Sequence, residues 1–162
     1  MREILKRQFY NSGYTRYNFV VLLICILSQF QLQHLYAIIT CTSWGICISF
    51  HTAMLLDNTC FIRMAYKENI SMKEFYCYNF CLHVCPCLIT IIIPPNFIYL
   101  WHGIISAYMH LVWTLLISNY TLCLDDIYCH MPMINWYILN LSAYFIELMT
   151  PLIFCYMNDS YI

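Results

Sequence analysis

The sequence predicts an all-α fold, a polytopic membrane helical bundle of about five transmembrane helices. Two observations carry this expectation. Hydrophobic residues make up 62% of the 162-residue chain and charged residues only 9%, against roughly 25% charged in ordinary soluble domains. The charges are also segregated. No Asp, Glu, Lys or Arg occurs from Tyr17 to Leu56, from Phe75 to Leu124 or from Ile127 to Ile146. One crossing takes about 20 mostly apolar residues. The first two tracts therefore each hold a helical hairpin, and the third holds a single helix.

Taken in order, the basic segment 1–16 (Arg2, Lys6, Arg7, Arg16) leads directly into the first tract. No small-residue cleavage site separates them, which argues against a secretory signal peptide. The first helix is expected near Tyr17–Gln33 and the second near Leu35–Leu56, with the polar patch from Ser28 to His34 as their turn. A hydrophilic loop, Asp57–Glu74, carries Arg63, Lys67 and Lys73. The third helix runs from about Phe75 to Ile93. It stops at Pro94-Pro95-Asn96, because proline blocks helix continuation and restricts the residue before it. The fourth spans about Phe97–Ser118, and a loop with Asp125 and Asp126 follows. The fifth spans about Met133–Tyr156, with Pro151 as a kink. Residues 17–157 thus form a single transmembrane domain of five or six helices, followed by a short tail at 158–162.

Lys and Arg concentrate before the first helix and between the second and third, so both segments should face the cytoplasm. The Pro94-Pro95-Asn96 turn and the C-terminus then lie on the other side. Of the sequons, those at Asn69 and Asn119 fall on the cytoplasmic side and that at Asn140 inside a helix. Only Asn158 would face outward, so little or no glycosylation is expected. A net charge of −1 leaves no electrostatic footprint for nucleic acid; the expected partner is the lipid bilayer. No internal repeat is present, which disfavours an inverted-repeat transporter.

Most of the 11 cysteines fall inside expected spans, where a free thiol behaves as a small hydrophobe. Cys77, Cys81 and Cys85 share one helix face. Successive ligands on a straight helix lie about 6 Å apart, too far for three to converge on one tetrahedral ion. No metal and no organic cofactor is expected. Asp125-Asp126 with Cys129-His130 reads as a solvated loop.

Polar stripes inside the apolar tracts are the candidates for chemistry. On the fourth helix His102, Ser106, His110 and Thr114 recur every four residues and share one face. Gly103 and Ala107 beside them form a small-xxx-small pattern through which another helix can approach closely, including that of a second copy. On the second helix Thr40, Ser43, Cys47 and His51 fall within a narrow arc. The fifth helix holds the one carboxylate well inside an apolar span, Glu147, with Asn140 and Tyr144 on the same side. A lone carboxylate in hydrocarbon is costly, so a histidine partner, His102 or His110, is expected. Each feature has a structural explanation too. Intramembrane histidines can serve as interhelical glue, Thr and Ser can bond back to their own helix carbonyls, and Glu147 can sit near an interface. If the three stripes point at one interior pocket, they supply a hydroxyl, an imidazole and a carboxylate. That set suits nucleophilic catalysis or a proton pathway.

The second helix opens Leu35-Tyr36-Ala37-Ile38-Ile39-Thr40-Cys41-Thr42, and the later one opens Asn96-Phe97-Ile98-Tyr99-Leu100-Trp101-His102. This layout resembles the androgen-induced and androgen-dependent membrane hydrolases, small polytopic proteins of the endoplasmic reticulum and plasma membrane that cleave fatty acid esters of hydroxy fatty acids. The resemblance implies Thr40 (or Thr42) as nucleophile, His102 as base and a fatty-acyl lipid as substrate. His110 is the alternative base, and Glu147 would orient or charge-stabilise an imidazole. A proton or small-ion pathway through His102, His110 and Glu147, or a non-catalytic scaffold subunit, stands beside the hydrolase as an expectation.

Overall fold

The structure, a computed structural model, describes residues 13–28, 31–67, 69–120 and 133–157. Most of the basic N-terminus, the Asp125-Asp126 and Cys129-His130 loop, Thr121 of the Asn119 sequon and the tail with Asn158 lie outside the described residues. Among the described residues all regular structure is helical and no strand occurs. The helices are α1 (Gly13–Leu27), α2 (Gln33–Leu56), α3 (Asn58–Lys67), α4 (Met72–Ile92), α5 (Leu100–Tyr120) and α6 (Met133–Met157). Three helices are long and apolar enough to cross a membrane: Gln33–Leu56, Met72–Ile92 and Tyr137–Met157.

Side-chain contacts give the directions. Asn18 meets Ser43 while Val21, Leu22 and Cys25 meet Tyr36 and Ile39, so α1 runs antiparallel to α2. Trp44 meets Thr90 and Phe50 stacks on His83, so α4 is antiparallel to α2 as well. His34 meets His102 and Thr42 meets Ser106, so α5 runs parallel to α2. Thr114 meets Asn140 and Gly103 abuts Pro151, so α6 opposes α5. Helices α1, α2, α4, α5 and α6 therefore alternate in direction along the chain.

Several boundaries differ from the sequence expectation. The first helix spans Gly13–Leu27 rather than Tyr17–Gln33, with Gln33 opening α2, and α5 begins at Leu100 rather than Phe97. The expected loop Asp57–Glu74 contains α3. Phe61 and Ala65, one turn apart, bury themselves against Phe50, Ala53, Phe75 and Leu139, and this apolar stripe outweighs the charged residues around it. The α4 helix starts at Met72 rather than Phe75. Ser71 accepts from the Glu74 N–H, and the Glu74 carboxylate accepts from the Ser71 N–H. This reciprocal cap satisfies two orphan donors. Asn69, at φ 54°, makes the turn between α3 and α4, a left-handed conformation that Asn tolerates better than most residues. Inside α4, Phe80–Val84 forms a π-helical turn, an insertion that re-aims the residues after it.

Polarity in this bundle is inside out. Asn18, Thr40, Ser43, Thr90, His102, Ser106, Glu147 and Thr150 are buried, while Leu55, Ile92, Tyr108, Leu141 and Phe145 face outward. Such an apolar exterior suits hydrocarbon surroundings, where interior contacts rest on packing and hydrogen bonds rather than on water exclusion.

Candidate functional site

Glu147 sits where three helices cross. It is fully buried, and two of the chain's three glycines make room for it. A Cβ on Gly45 of α2 would overlap the Glu147 side chain, and a Cβ on Gly103 of α5 would lie 2.5 Å from the Glu147 carbonyl oxygen and 3.2 Å from Pro151 Cγ. The proline matters here. Pro151 has no N–H to give to the carbonyl of residue 147, four positions earlier, and the Gly103 backbone approaches that freed oxygen. The close approach expected at Gly103 is thus made by α6 of the same chain.

The α5 stripe meets a partner at every turn. His102 Nε2 lies 3.1 Å from His34 Nδ1. Ser106 Oγ lies 2.7 Å from Thr42 Oγ1. His110 Nδ1 lies 2.8 Å from Glu147 Oε1. Thr114 Oγ1 donates to Asn140 Oδ1 at 3.1 Å. These four rungs join α5 first to α2, through His34 and Thr42, and then to α6, through Glu147 and Asn140, about 6 Å apart along the axis. The second oxygen of Glu147, Oε2, has no hydrogen-bond partner among the described residues. Ser106 lies beside Glu147 but has a single proton. The Thr42 hydroxyl also reaches the Ile38 carbonyl at 3.1 Å. When Thr42 spends its proton there, Ser106 must donate to Thr42, and Oε2 is left bare.

The expected catalytic residues are all buried but do not form one triad. Thr40 gives its hydroxyl proton to the Tyr36 carbonyl at 2.9 Å, the back-bonding that explains a helical threonine without any chemistry. Both nitrogens of His102 are engaged. Nδ1 accepts from the Tyr99 N–H at 2.8 Å, so a neutral ring carries its proton on Nε2 and donates it to His34. Tyr99 is the residue before the first turn of α5, and His102, three further on, takes the part a glutamate plays in a capping box. Thr42 meets a serine rather than a histidine. Of the two candidate partners for Glu147, His110 is the one that meets it.

The second-helix stripe faces other neighbours than expected. Ser43 accepts from Asn18 Nδ2 at 2.9 Å, toward α1. Cys47 lies against Cys87 of α4, and His51 is exposed. Thr42 and Gly45 are what α2 presents to Ser106 of α5 and Glu147 of α6. Sequence reasoning missed Gly45, although glycine is scarce enough here to mark a close approach. It also missed His34, which it assigned to a turn. His34 lies against Phe97 and Trp101, with centroids 4.8 and 5.3 Å away, at the end of the ladder near the Pro94-Pro95 turn. Among the described residues no group of three or more His, Cys, Asp or Glu is placed to hold a metal ion. Comparison of the chain with family models, curated proteins and solved structures finds no match in any of the three.

Proposed function

We propose that the chain is a multi-pass membrane protein whose five long helices, α1, α2, α4, α5 and α6, each cross the bilayer, and that its interior binds and passes a proton. The observation that carries this reading is Glu147: a fully buried carboxylate, paired through one oxygen with His110 and, among the described residues, without a hydrogen-bond partner at the other. Intramembrane ionisable groups that face the bundle interior are functional candidates by default, proton relays among them. The rungs around it span roughly 18 Å of a hydrocarbon core of about 30 Å. A proton reaching Glu147 from the His34–His102 end has Ser106 and Thr42 as intermediate hydroxyls, and Ser106 can turn from Thr42 to Glu147. Rungs about 6 Å apart are not in hydrogen-bond reach of each other, so transfer between them needs a water molecule or a side-chain rotation. The alternation of helix directions supports five crossings. The α1 helix, at 15 residues, rises about 22 Å and is the shortest of them.

A lipid-ester hydrolase would ask more of the same residues. Thr40 would have to leave the Tyr36 carbonyl, and His102 would have to release the Tyr99 N–H. Purified protein in liposomes with an imposed pH gradient and an internal pH dye separates the readings. The gradient should decay faster than in empty liposomes, and Glu147→Gln should return the decay to the empty-liposome rate while Thr40→Ala leaves it fast. Decay no faster than in empty liposomes, or undiminished in Glu147→Gln, would sink the proton reading. Labelling by a serine/threonine-directed phosphonate that Thr40→Ala and His102→Ala both abolish would put the hydrolase in its place.

A further inference from the structure

On the side of α2 away from the ladder, three contacts step down the antiparallel junction with α4. Trp44 Nε1 donates to Thr90 Oγ1 at 3.2 Å. The Phe50 and His83 rings stack 4.5 Å apart at 3°. Between them, three residues from Trp44 on α2 and three from Thr90 on α4, the Cys47 and Cys87 side chains face one another. Both thiols are free and nearly buried, with exposures of 9% and 7%. On α4 the step from Cys87 to His83 is four residues, against three from Cys47 to Phe50, and the π-helical turn at Phe80–Val84 lies where that step falls. His51, exposed and one turn from Cys47, holds its Nδ1 2.7 Å from the Cys47 carbonyl oxygen and 3.9 Å from Cys47 Sγ. The Nδ1–H donates to the carbonyl, and the imidazole lies beside the sulfur. Cys81 and Cys85, by contrast, lie on one helix, the first exposed and the second half-buried.

We propose that Cys47 and Cys87 are a redox-active dithiol that reacts with small apolar disulfides and closes to a covalent bond between α2 and α4. Cys47 is the attacking sulfur, because it is the one beside the His51 N–H, and a thiolate is the nucleophile in such exchange. Its attack breaks the S–S bond of the reagent. One half stays on Cys47 as a mixed disulfide, and the other leaves as a thiol carrying the proton that Cys47 lost. Cys87 then attacks Cys47 Sγ, and the second half leaves with the Cys87 proton. The protein loses two electrons, and one disulfide becomes two thiols. The reagent must be apolar because Cys47 lies nine residues inside the end of α2, about 13 Å along its axis. This chemistry stands apart from proton passage, since it uses the opposite side of α2.

The test treats purified full-length protein with 2,2′-dipyridyl disulfide and maps the products by peptide mass. A Cys47 peptide linked to the Cys87 peptide, released again by dithiothreitol, is the expected result. In Cys87→Ser the exchange should stall, leaving a pyridyl adduct on Cys47. The link should also raise the unfolding temperature, and reduction should restore it. Separate adducts on Cys47 and Cys87 in the wild type would overturn the proposal. So would finding both thiols fully alkylatable by N-ethylmaleimide, after denaturation of the treated protein. The wild-type map decides the matter even if the serine variant fails to fold.

Discussion

The two sides of α2 solve the burial problem differently. Around Thr42 and Gly45 its contact with α5 and α6 is built of oxygen and nitrogen, from Ser106, Glu147 and His110. Toward α3 and α4 it presents Phe50 and Ala53, which meet Phe61, Ala65 and Phe75 in an apolar cluster. The second contact is tolerant, because any side chain of similar volume replaces dispersion with dispersion. The first is not. Each polar group in it has a designated partner, and losing one leaves the other stranded in a dry interior. The polar contact therefore depends on matched partners, while the apolar contact depends on volume.

Substitutions sharpen this contrast. The largest effect is expected for His110→Ala, which strands the Glu147 carboxylate and should cost about 3–5 kcal/mol in denaturation of the detergent-solubilised protein. The double change His110→Leu with Glu147→Leu should recover most of that loss, since removing both partners strands neither. Equal loss in the single and double variants would show that the pair contributes packing alone. On the apolar side Phe75→Ala should cost a similar 3–5 kcal/mol or so, but Phe75→Leu only about 1.5 kcal/mol or less, a graded response with no stranded group. Gly45→Ala comes next. It thrusts a methyl into Glu147 and should cost about 1–3 kcal/mol, with proton flux lost together with stability. The smallest effect is expected for Thr114→Val, which removes one interhelical hydrogen bond worth about 0.6 kcal/mol in a membrane setting.

How much of this was legible in the sequence follows the dimensionality of each signal. Helices and turns are one-dimensional, so charge-free tracts and Pro94-Pro95 located them well. The α5 stripe was legible for the same reason, because its four-residue spacing survives in any helical bundle. Partner choice depends on three dimensions and was only partly legible. The α2 helix carries Thr40, Ser43 and Cys47 in one arc and Thr42 outside it, and spacing alone does not say which of them meets which neighbour. Thr40, Thr42 and Ser43 each bond a carbonyl of their own helix, so their hydroxyls did not need an interhelical partner at all. The α3 helix was hidden by its charges, and His102 by its position, since a histidine serving as a helix cap looks in sequence like a catalytic one.

We propose Glu147, held by His110 and without a hydrogen-bond partner at Oε2 among the described residues, as the proton-binding group of the interior. Infrared difference spectroscopy of the protein in lipid, stepped in pH, observes a carboxyl group gaining or losing its proton through the C=O stretch of the acid form. A pH-dependent band should be present in the wild type, absent in Glu147→Gln, displaced in His110→Ala and unchanged in Thr40→Ala. A wild-type spectrum with no such band, or one that persists in Glu147→Gln, would contradict the account.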